Sequence, residues 1–177
     1  NPSYPIHPYG FIIAGASLRH LQTMKDGIFD PETYLERLDR SIRISSPSPV
    51  ALIVSFPSNP TAQVASIDFY EEVVKIALKY NVYILSDLAY AEIYYDGILP
   101  PSILQVPRAK EIAVEFTSMS KTYAMAGWRI GFAVGNIKLI NKINKSNGLS
   151  FCPITLGVNF IDQIKNIETL SKCSVEK

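Results

Sequence analysis

The sequence has little cysteine, no excess of either charge and no long hydrophobic run, and each absence excludes a class of protein. Its two cysteines, Cys152 and Cys173, are too few for a disulfide scaffold and form no metal-ligand cluster, which favours reduced thiols in a cytoplasmic protein. Seventeen basic residues balance sixteen acidic ones, and no basic run indicates binding to nucleic acid or to an anionic membrane. No signal peptide and no apolar run of bilayer-spanning length is found, so no membrane association is expected.

The overall amino-acid composition is typical of a folded globular domain. Hydrophobic residues make up 47% of the 177 residues and charged residues 19%, which is enough apolar material for one sizeable core. The first five residues, Asn-Pro-Ser-Tyr-Pro, are not an initiation sequence. They predict that the chain is an internal part of a longer protein.

The N-terminal part is predicted to be irregular up to a first well-marked helix. Three segments precede this helix: an extended or turning loop at 1–9, a short strand at 11–14 and a possible second strand at 17–21. Asp30 is a good N-cap and Pro31 a good first helical residue, so a helix is expected from there to about residue 41.

The rest of the chain alternates between strand and helix patterns. The predicted elements are strands at 50–56, 82–86, 112–117 and 129–135, a helix capped by Ser66, a short helix or turn at 88–95, a helix from 137 to about 145, and a long terminal helix from 153 onward. The strands on either side of the Ser66 helix are apolar on both faces, as parallel strands covered by helices are. This strand, helix and strand form a right-handed βαβ unit, which predicts an α/β fold with a mostly parallel sheet.

One stretch, Ser118–Gly131, carries the strongest chemical signal. The strand before it delivers Lys121 to the end of the sheet, where open α/β sheets bind ligands. A lysine there can lose solvation, lower its pKa and attack a carbonyl to form a Schiff base. Arg129 offers a fork of donors suited to a phosphate, and Ser118 and Ser120 can add hydroxyl donors. The alternative is a strand followed by an exposed Lys121 and an Arg129 paired with a surface carboxylate.

Polar residues at the ends of two other strands fit the same site, although each has a plainer explanation. Asp87 ends a buried strand, where its carboxylate can pair with a protonated nitrogen of a ligand, or it can simply be a helix N-cap. Tyr90 is spaced to share a face with Asp87. Asn59 can donate to an oxygen of the same ligand, or it can be a turn-forming residue before Pro60.

Together these segments resemble the class I/II aminotransferases, the fold-type I family that uses pyridoxal 5′-phosphate. The resemblance covers nearly the whole chain and implies a three-layer α/β/α sandwich, the large cofactor domain of such an enzyme, without its small domain. It also implies a role for each matching residue. Asn59 and Tyr90 contact the ring hydroxyl oxygen, Asp87 the ring nitrogen, Lys121 forms the Schiff base, Ser118 and Arg129 bind the phosphate, and Ser120 lies beside them.

The N-terminal segment resembles the family as well. By the match, Tyr4 stacks on the pyridine ring and His7 hydrogen-bonds behind Asp87, whereas alone each would be taken as a packing residue. The run PSYPIHPYGFIIAGA is most similar to the bacterial alanine and LL-diaminopimelate aminotransferase-like branch. The main departure is Ala62, where the family more often has Gly after Asn-Pro-Thr, and this raises a question about the local turn.

The resemblance implies transfer of an amino group between an amino acid and a 2-oxo acid, in an enzyme that works as a homodimer. Parts of the site are expected outside residues 1–177: the phosphate-binding loop upstream and the substrate-carboxylate arginine in a downstream small domain. The alternatives are another fold-type I enzyme, such as a C–S lyase or aminocyclopropane-carboxylate synthase, and the aminotransferase-like effector domain of a regulator.

Overall fold

A computed structural model of the protein describes residues 2–128 and 130–146. Within these residues five helices and six strands follow one another along the chain. The helices are α1 (Ile6–Ile13), α2 (Pro31–Arg43), α3 (Ile67–Tyr80), α4 (Met119–Thr122) and α5 (Ile137–Ser146). The strands are β1 (Met24–Lys25), β2 (Ile28–Phe29), β3 (Ala51–Ser55), β4 (Tyr83–Asp87), β5 (Ala113–Ser118) and β6 (Gly131–Gly135).

The main sheet has the strand order β3-β4-β5-β6. The first three strands are parallel, and β6 runs antiparallel to β5. Strand register aligns Ser55 with Asp87 and Asp87 with Phe116, so β3, β4 and β5 end at the same edge of the sheet. The predicted βαβ unit and the mostly parallel sheet are confirmed.

Capping residues fix the two long helices where the sequence predicts. Asp30 accepts a hydrogen bond from Thr33 N at 3.2 Å at the start of α2, and Ser66 accepts from Phe69 N at 3.1 Å at the start of α3. Each such cap contributes about 1 kcal/mol. Asn81 ends α3 in the left-handed conformation at φ 54°, which Asn tolerates better than most residues.

Helices cover both faces of the sheet. On one face α2 and α3 form the large core, in which Tyr70, Val73 and Ile84 are fully buried. Burying a side chain of this size stabilises the fold by about 1.5–3 kcal/mol. On the other face Ile140 of α5 packs against Val114 and Ala133. The three-layer α/β/α sandwich is therefore confirmed.

The N-terminal region differs from the prediction. Residues 6–13 form α1, although the sequence predicts a loop through residue 9 and a strand at 11–14, and 17–21 contains no strand. Pro8 lies in the first helical turn, where the missing N–H would have no intrahelical partner in any case. The run of isoleucines, which resembles a strand in isolation, belongs to this helix.

Smaller differences concern element boundaries. Strand β6 begins at Gly131 and not at residue 129, and residues 88–95 form turns without a helix, which is one of the two predicted alternatives. The predicted terminal helix from 153 onward lies outside the described residues. Among the residues that the structure describes, no helix is long and apolar enough to cross a membrane.

Candidate active site

The candidate site lies at the edge where the parallel strands end. Asp87 is the last residue of β4 and Ser118 the last residue of β5, and the loop that carries Asn59 follows β3. The carboxyl edge of a parallel sheet is the usual ligand-binding position in α/β proteins. His7 and Asp87, 80 residues apart in sequence, meet here.

The Asp87 carboxylate is held through both of its oxygens. His7 Nε2 lies 2.8 Å from Oδ2, and Ala89 N donates to Oδ1 at 3.1 Å. An ionised carboxylate only accepts hydrogen bonds, so His7 is the donor in this pair. The side chains are partly shielded, with 14% of His7 and 28% of Asp87 exposed. Because residues 88–95 are not helical, Asp87 caps a turn and not a helix.

Tyr4 lies beside this pair. Its ring meets the His7 ring edge-on, with centroids 5.8 Å apart and planes at 81°. Tyr4 itself is 43% exposed, so part of its side chain remains accessible. The structure therefore brings Tyr4, His7 and Asp87 together, and the stacking role predicted for Tyr4 stays a prediction.

A second group joins three loops. Asn59 Nδ2 donates a long hydrogen bond, 3.4 Å, to the Tyr90 hydroxyl. Lys121 Nζ lies 5.7 Å from the centroid of the Tyr90 ring, within the range of a cation–π contact. Asn59, Tyr90 and Lys121 thus converge from the ends of β3, β4 and β5.

The loop after β3 is stiffened by its own hydrogen bonds. Ser58 Oγ is 2.5 Å from Thr61 Oγ1 and accepts from Gln63 N at 3.1 Å, and Ala62 N donates to Ser58 O at 2.8 Å. Ala62 adopts a left-handed conformation with φ 56°. The turn therefore forms with Ala62 in a conformation that suits Gly better.

Ser118 begins the segment that carries the lysine. Its hydroxyl oxygen accepts from Ser120 N at 3.2 Å, which caps the short helix α4, and the O–H can still donate to a ligand. Lys121, in the third position of α4, is exposed. Ser120 is partly buried beside it. Arg129 lies outside the described residues, so its predicted phosphate contact stays a prediction.

A groove on the sheet face opens beside Asp87 and Ser118. It has a volume of about 510 Å³, and Ile53, Leu85 and Phe116 line it from three neighbouring strands. His7 contributes to the same lining. The sequence indicates apolar strands but not this groove, because a groove depends on which helices cover which part of the sheet.

Sequence reasoning missed Glu115, a carboxylate buried on the opposite face of β5. It is only 8% exposed, and burial raises its pKa although hydrogen bonds from Ser102, Ile103 and Ser86 oppose the shift. The available signal was a single acidic residue inside the apolar run AVEF.

The fold and the converging polar groups define an α/β protein with a ligand site at the carboxyl edge of its sheet. The family model for aminotransferase class I and II matches residues 1–158, so the chain belongs to this family. This confirms the recognition made from the motifs.

Named relatives agree with the family and with the predicted branch. The chain is 52% identical over 145 residues to the putative aminotransferase AatC of Rhizobium meliloti, an alignment that covers 82% of this chain and 35% of that protein. It is 51% identical over 143 residues to the glutamate-pyruvate aminotransferase AlaC of Escherichia coli, covering 81% and 34%. An LL-diaminopimelate aminotransferase of Natranaerobius thermophilus is 43% identical over 161 residues, covering 88% and 40%. The chain thus spans little more than a third of the length of these relatives.

Solved structures show the same fold. A probable N-succinyldiaminopimelate aminotransferase from Thermus thermophilus superposes with a TM-score of 0.71 at 30% identity, covering 82% of this chain and 38% of that one. Cystalysin from Treponema denticola, which contains pyridoxal 5′-phosphate, superposes with a TM-score of 0.64 at 20% identity, covering 71% and 32%. At that identity the second likeness concerns the fold alone.

Proposed function

We propose that this chain is the cofactor-binding part of an aminotransferase that uses pyridoxal 5′-phosphate to move an amino group between an amino acid and a 2-oxo acid. The observation that carries the proposal is the meeting of two groups at one sheet edge: the His7–Asp87 pair, and Lys121 with Tyr90 and Asn59. The family membership of the chain supports the same reading.

The donor set suits pyridoxal phosphate. A carboxylate held by His7 is suited to a protonated pyridine nitrogen, so Asp87 is assigned to that atom. Asn59 and Tyr90 are assigned to the ring hydroxyl oxygen, and the aromatic ring of Tyr4 is assigned to stack on the cofactor ring. Hydroxyl and guanidinium donors suit a phosphate, so Ser118 and Arg129 are assigned there, with Ser120 beside them.

The residues of this chain have separate tasks in the proposed reaction. When bound, the cofactor supplies an aldehyde and a ring that withdraws electrons. Lys121 Nζ would be the nucleophile for that aldehyde until the incoming substrate amine takes its place. The released lysine amine would then move a proton at the substrate α-carbon. Asp87 keeps the pyridine nitrogen protonated, and the hydrogen bond from His7 orients Asp87 for this task.

The proposal extends to the whole protein. Residues 1–177 are part of the large domain, and the full-length enzyme is a cytoplasmic homodimer. Relatives named for glutamate, pyruvate and LL-diaminopimelate give the first amino donors and oxo acids to test.

Borohydride reduction in the presence of pyridoxal phosphate, followed by peptide mass mapping, tests the cofactor site. We expect a phosphopyridoxyl group on Lys121, no such group in Lys121→Ala, and an unchanged pattern in Lys110→Ala, which alters an exposed lysine. Labelling spread evenly over surface lysines would contradict the assignment of Lys121.

Turnover by the full-length protein tests the reaction. Lys121→Ala should lower the rate by at least about a thousandfold, because it removes both the nucleophile and the proton carrier. Product analysis then identifies the reaction: exchange between an amino acid and a 2-oxo acid supports an aminotransferase. Elimination or cyclisation products would instead indicate another enzyme of the same fold type.

A further inference from the structure

Glu115 is a buried carboxylate that the proposed mechanism does not use. It lies in β5 between Val114 and Phe116, and its side chain points to the face of the sheet where α3 packs, away from the groove. Ionisable side chains are seldom buried at 8% exposure unless they are paired or hydrogen-bonded. Its position therefore calls for a structural or functional reason.

Glu115 joins two segments through three hydrogen bonds. Oε1 accepts from Ser102 Oγ at 2.6 Å, and Oε2 accepts from Ile103 N at 3.1 Å and from Ser86 Oγ at 3.2 Å. Ser86 directly precedes Asp87 at the end of β4. Ser102 and Ile103 begin a short 3₁₀ turn, Ile103–Gln105.

The segment between these two attachment points carries Tyr90. Residues 88–101 form no helix or strand, and every residue from 92 to 99 is exposed. Near β4 the segment is held by Leu88 N, which donates to Phe116 O at 2.8 Å. At its far end the hydrogen bonds to Glu115 fasten it to the centre of the sheet.

We propose that Glu115 is a positioning residue for the candidate site, because it fastens the far end of the 88–101 segment to β5, bonds Ser86 just before the near end, and so fixes where Tyr90 lies relative to Lys121. The part of the inference that concerns catalysis, the placement of Tyr90 for the cofactor, rests on the proposed function. The structural part, the restraint of residues 88–101, is independent of any cofactor.

The two serines allow the attachments to be altered one at a time. Ser102→Ala weakens the far attachment, because it removes the bond to Oε1 and the cap on Leu104 N but leaves the bond from Ile103 N. Ser86→Ala removes only the bond from β4 and leaves both bonds of the far end. Glu115→Gln keeps the shape of the side chain but presents an amide to one of the donors. Ser45→Ala is the matched control, because Ser45 Oγ donates to Ser41 O, outside this cluster.

Hydrogen exchange measured by mass spectrometry tests the restraint. We expect Glu115→Gln and Ser102→Ala to speed exchange in residues 88–101 by about tenfold while β3 and α2 keep wild-type rates. Ser45→Ala should leave residues 88–101 unchanged. Wild-type exchange in residues 88–101, or an equal increase throughout the chain, would overturn the proposal. If Glu115→Gln fails to fold, Ser102→Ala provides the same comparison.

Cofactor titration tests the catalytic meaning. The dissociation constant of pyridoxal phosphate, followed by its absorbance, should rise about fivefold to tenfold in Glu115→Gln and in Ser102→Ala, because Tyr90 is less well placed. Faster local exchange with unchanged cofactor affinity and spectrum would reduce Glu115 to a purely structural role and overturn the proposal. If the wild-type chain takes no cofactor on Lys121, the proposed function fails, and the exchange experiment still decides whether Glu115 restrains the segment.

Discussion

Asp87 shows how a single side chain acquires a fixed orientation at the sheet edge. A free carboxylate at a strand end rotates about two torsions, but both oxygens of Asp87 are engaged, one by His7 and one by the Ala89 amide. Hydrogen bonds to charged groups contribute about 1.5–3 kcal/mol each. These two hydrogen bonds are therefore strong enough to set the position of the carboxylate before any ligand binds.

Replacing His7 with Phe tests this pair. The variant keeps an aromatic ring next to Tyr4 but removes the donor to Asp87 Oδ2, so the free energy of unfolding should fall by about 1–3 kcal/mol. The dissociation constant of pyridoxal phosphate should rise about tenfold, because Asp87 loses its orientation. Urea denaturation and cofactor titration measure the two effects.

His20→Phe, which changes an exposed histidine, is the control and should match the wild type. Equal behaviour of the two variants would refute the role of His7.

Ala62 offers a test of backbone strain at one residue. A left-handed conformation costs a residue other than glycine about 1–2 kcal/mol, whereas glycine adds about 0.4–1 kcal/mol of entropy to the unfolded chain. The first effect is larger, so Ala62→Gly should stabilise the protein by about 0.5–1 kcal/mol in urea denaturation. Ala14→Gly, at an exposed position with φ −75°, is the control and should destabilise it. A loss of stability in Ala62→Gly would show that the turn does not strain Ala62.

At the scale of elements, β6 is joined to β5 by an unusually close approach. Gly135 has φ 143°, and a Cβ atom there would lie 2.2 Å from Ala113 O and 2.9 Å from Val114 Cα. Both contacts are with backbone atoms, which cannot rotate away. The antiparallel pairing of β6 with β5 therefore depends on glycine at this position. The path of the chain from Lys121 to α5 depends on the same pairing.

Gly135→Ala should therefore lower the free energy of unfolding by about 2–4 kcal/mol, through steric overlap and an unfavourable backbone conformation. Thermal and urea denaturation measure the loss. Gly10→Ala is a suitable control, because a Cβ atom there meets nothing within 4 Å and alanine is favoured over glycine in a helix. A Gly135→Ala protein as stable as Gly10→Ala would show that β6 can move away from β5.

At the scale of the whole molecule, the sheet is packed on both faces and has a buried carboxylate, Glu115, in its interior. Burial raises the pKa of Glu115 above its ordinary value of 4.5. The titratable group that faces it from α3 is Tyr70, whose own pKa is raised by burial and by the charge of Glu115, so that it stays protonated. The stability of the fold should therefore change with pH over the range in which Glu115 ionises.

The direction of this dependence follows from proton binding. The folded state holds the Glu115 proton more tightly than the unfolded state, so the stabilisation is complete below about pH 4.5 and is lost as the pH rises through the folded pKa. The stability of the wild type relative to Glu115→Gln should thus fall in urea denaturation as the pH rises above about 4.5.

Glu111→Gln is the matched control for this experiment. The hydrogen bonds from Arg108 lower the pKa of Glu111, so its contribution is present above pH 4.5 and is lost as the pH falls. The relative stability should change in the opposite direction, and weakly, because the pair is exposed. A stability difference for Glu115→Gln that does not vary with pH would show that Glu115 has an unshifted pKa in the folded protein.

Local chemistry determined much of this protein directly from its sequence. The caps at Asp30 and Ser66, the apolar strands β3, β4 and β5, and the order of Asn59, Asp87, Tyr90, Ser118 and Lys121 along the chain are readable because each depends on near neighbours. Parallel strands must end at one edge, so the sequence also indicates that these polar residues meet there.

Other features required the tertiary structure. The sequence predicts a loop at 1–9 and a strand at 11–14, yet residues 6–13 form a helix. The residue pattern alone does not show that His7 lies beside Asp87, 80 residues away, although the family resemblance implies it. The buried cluster around Glu115 and the groove beside Asp87 likewise depend on segments that meet only after folding. Sequence patterns report the neighbours of a residue along the chain, whereas burial and long-range hydrogen bonds depend on how the layers pack.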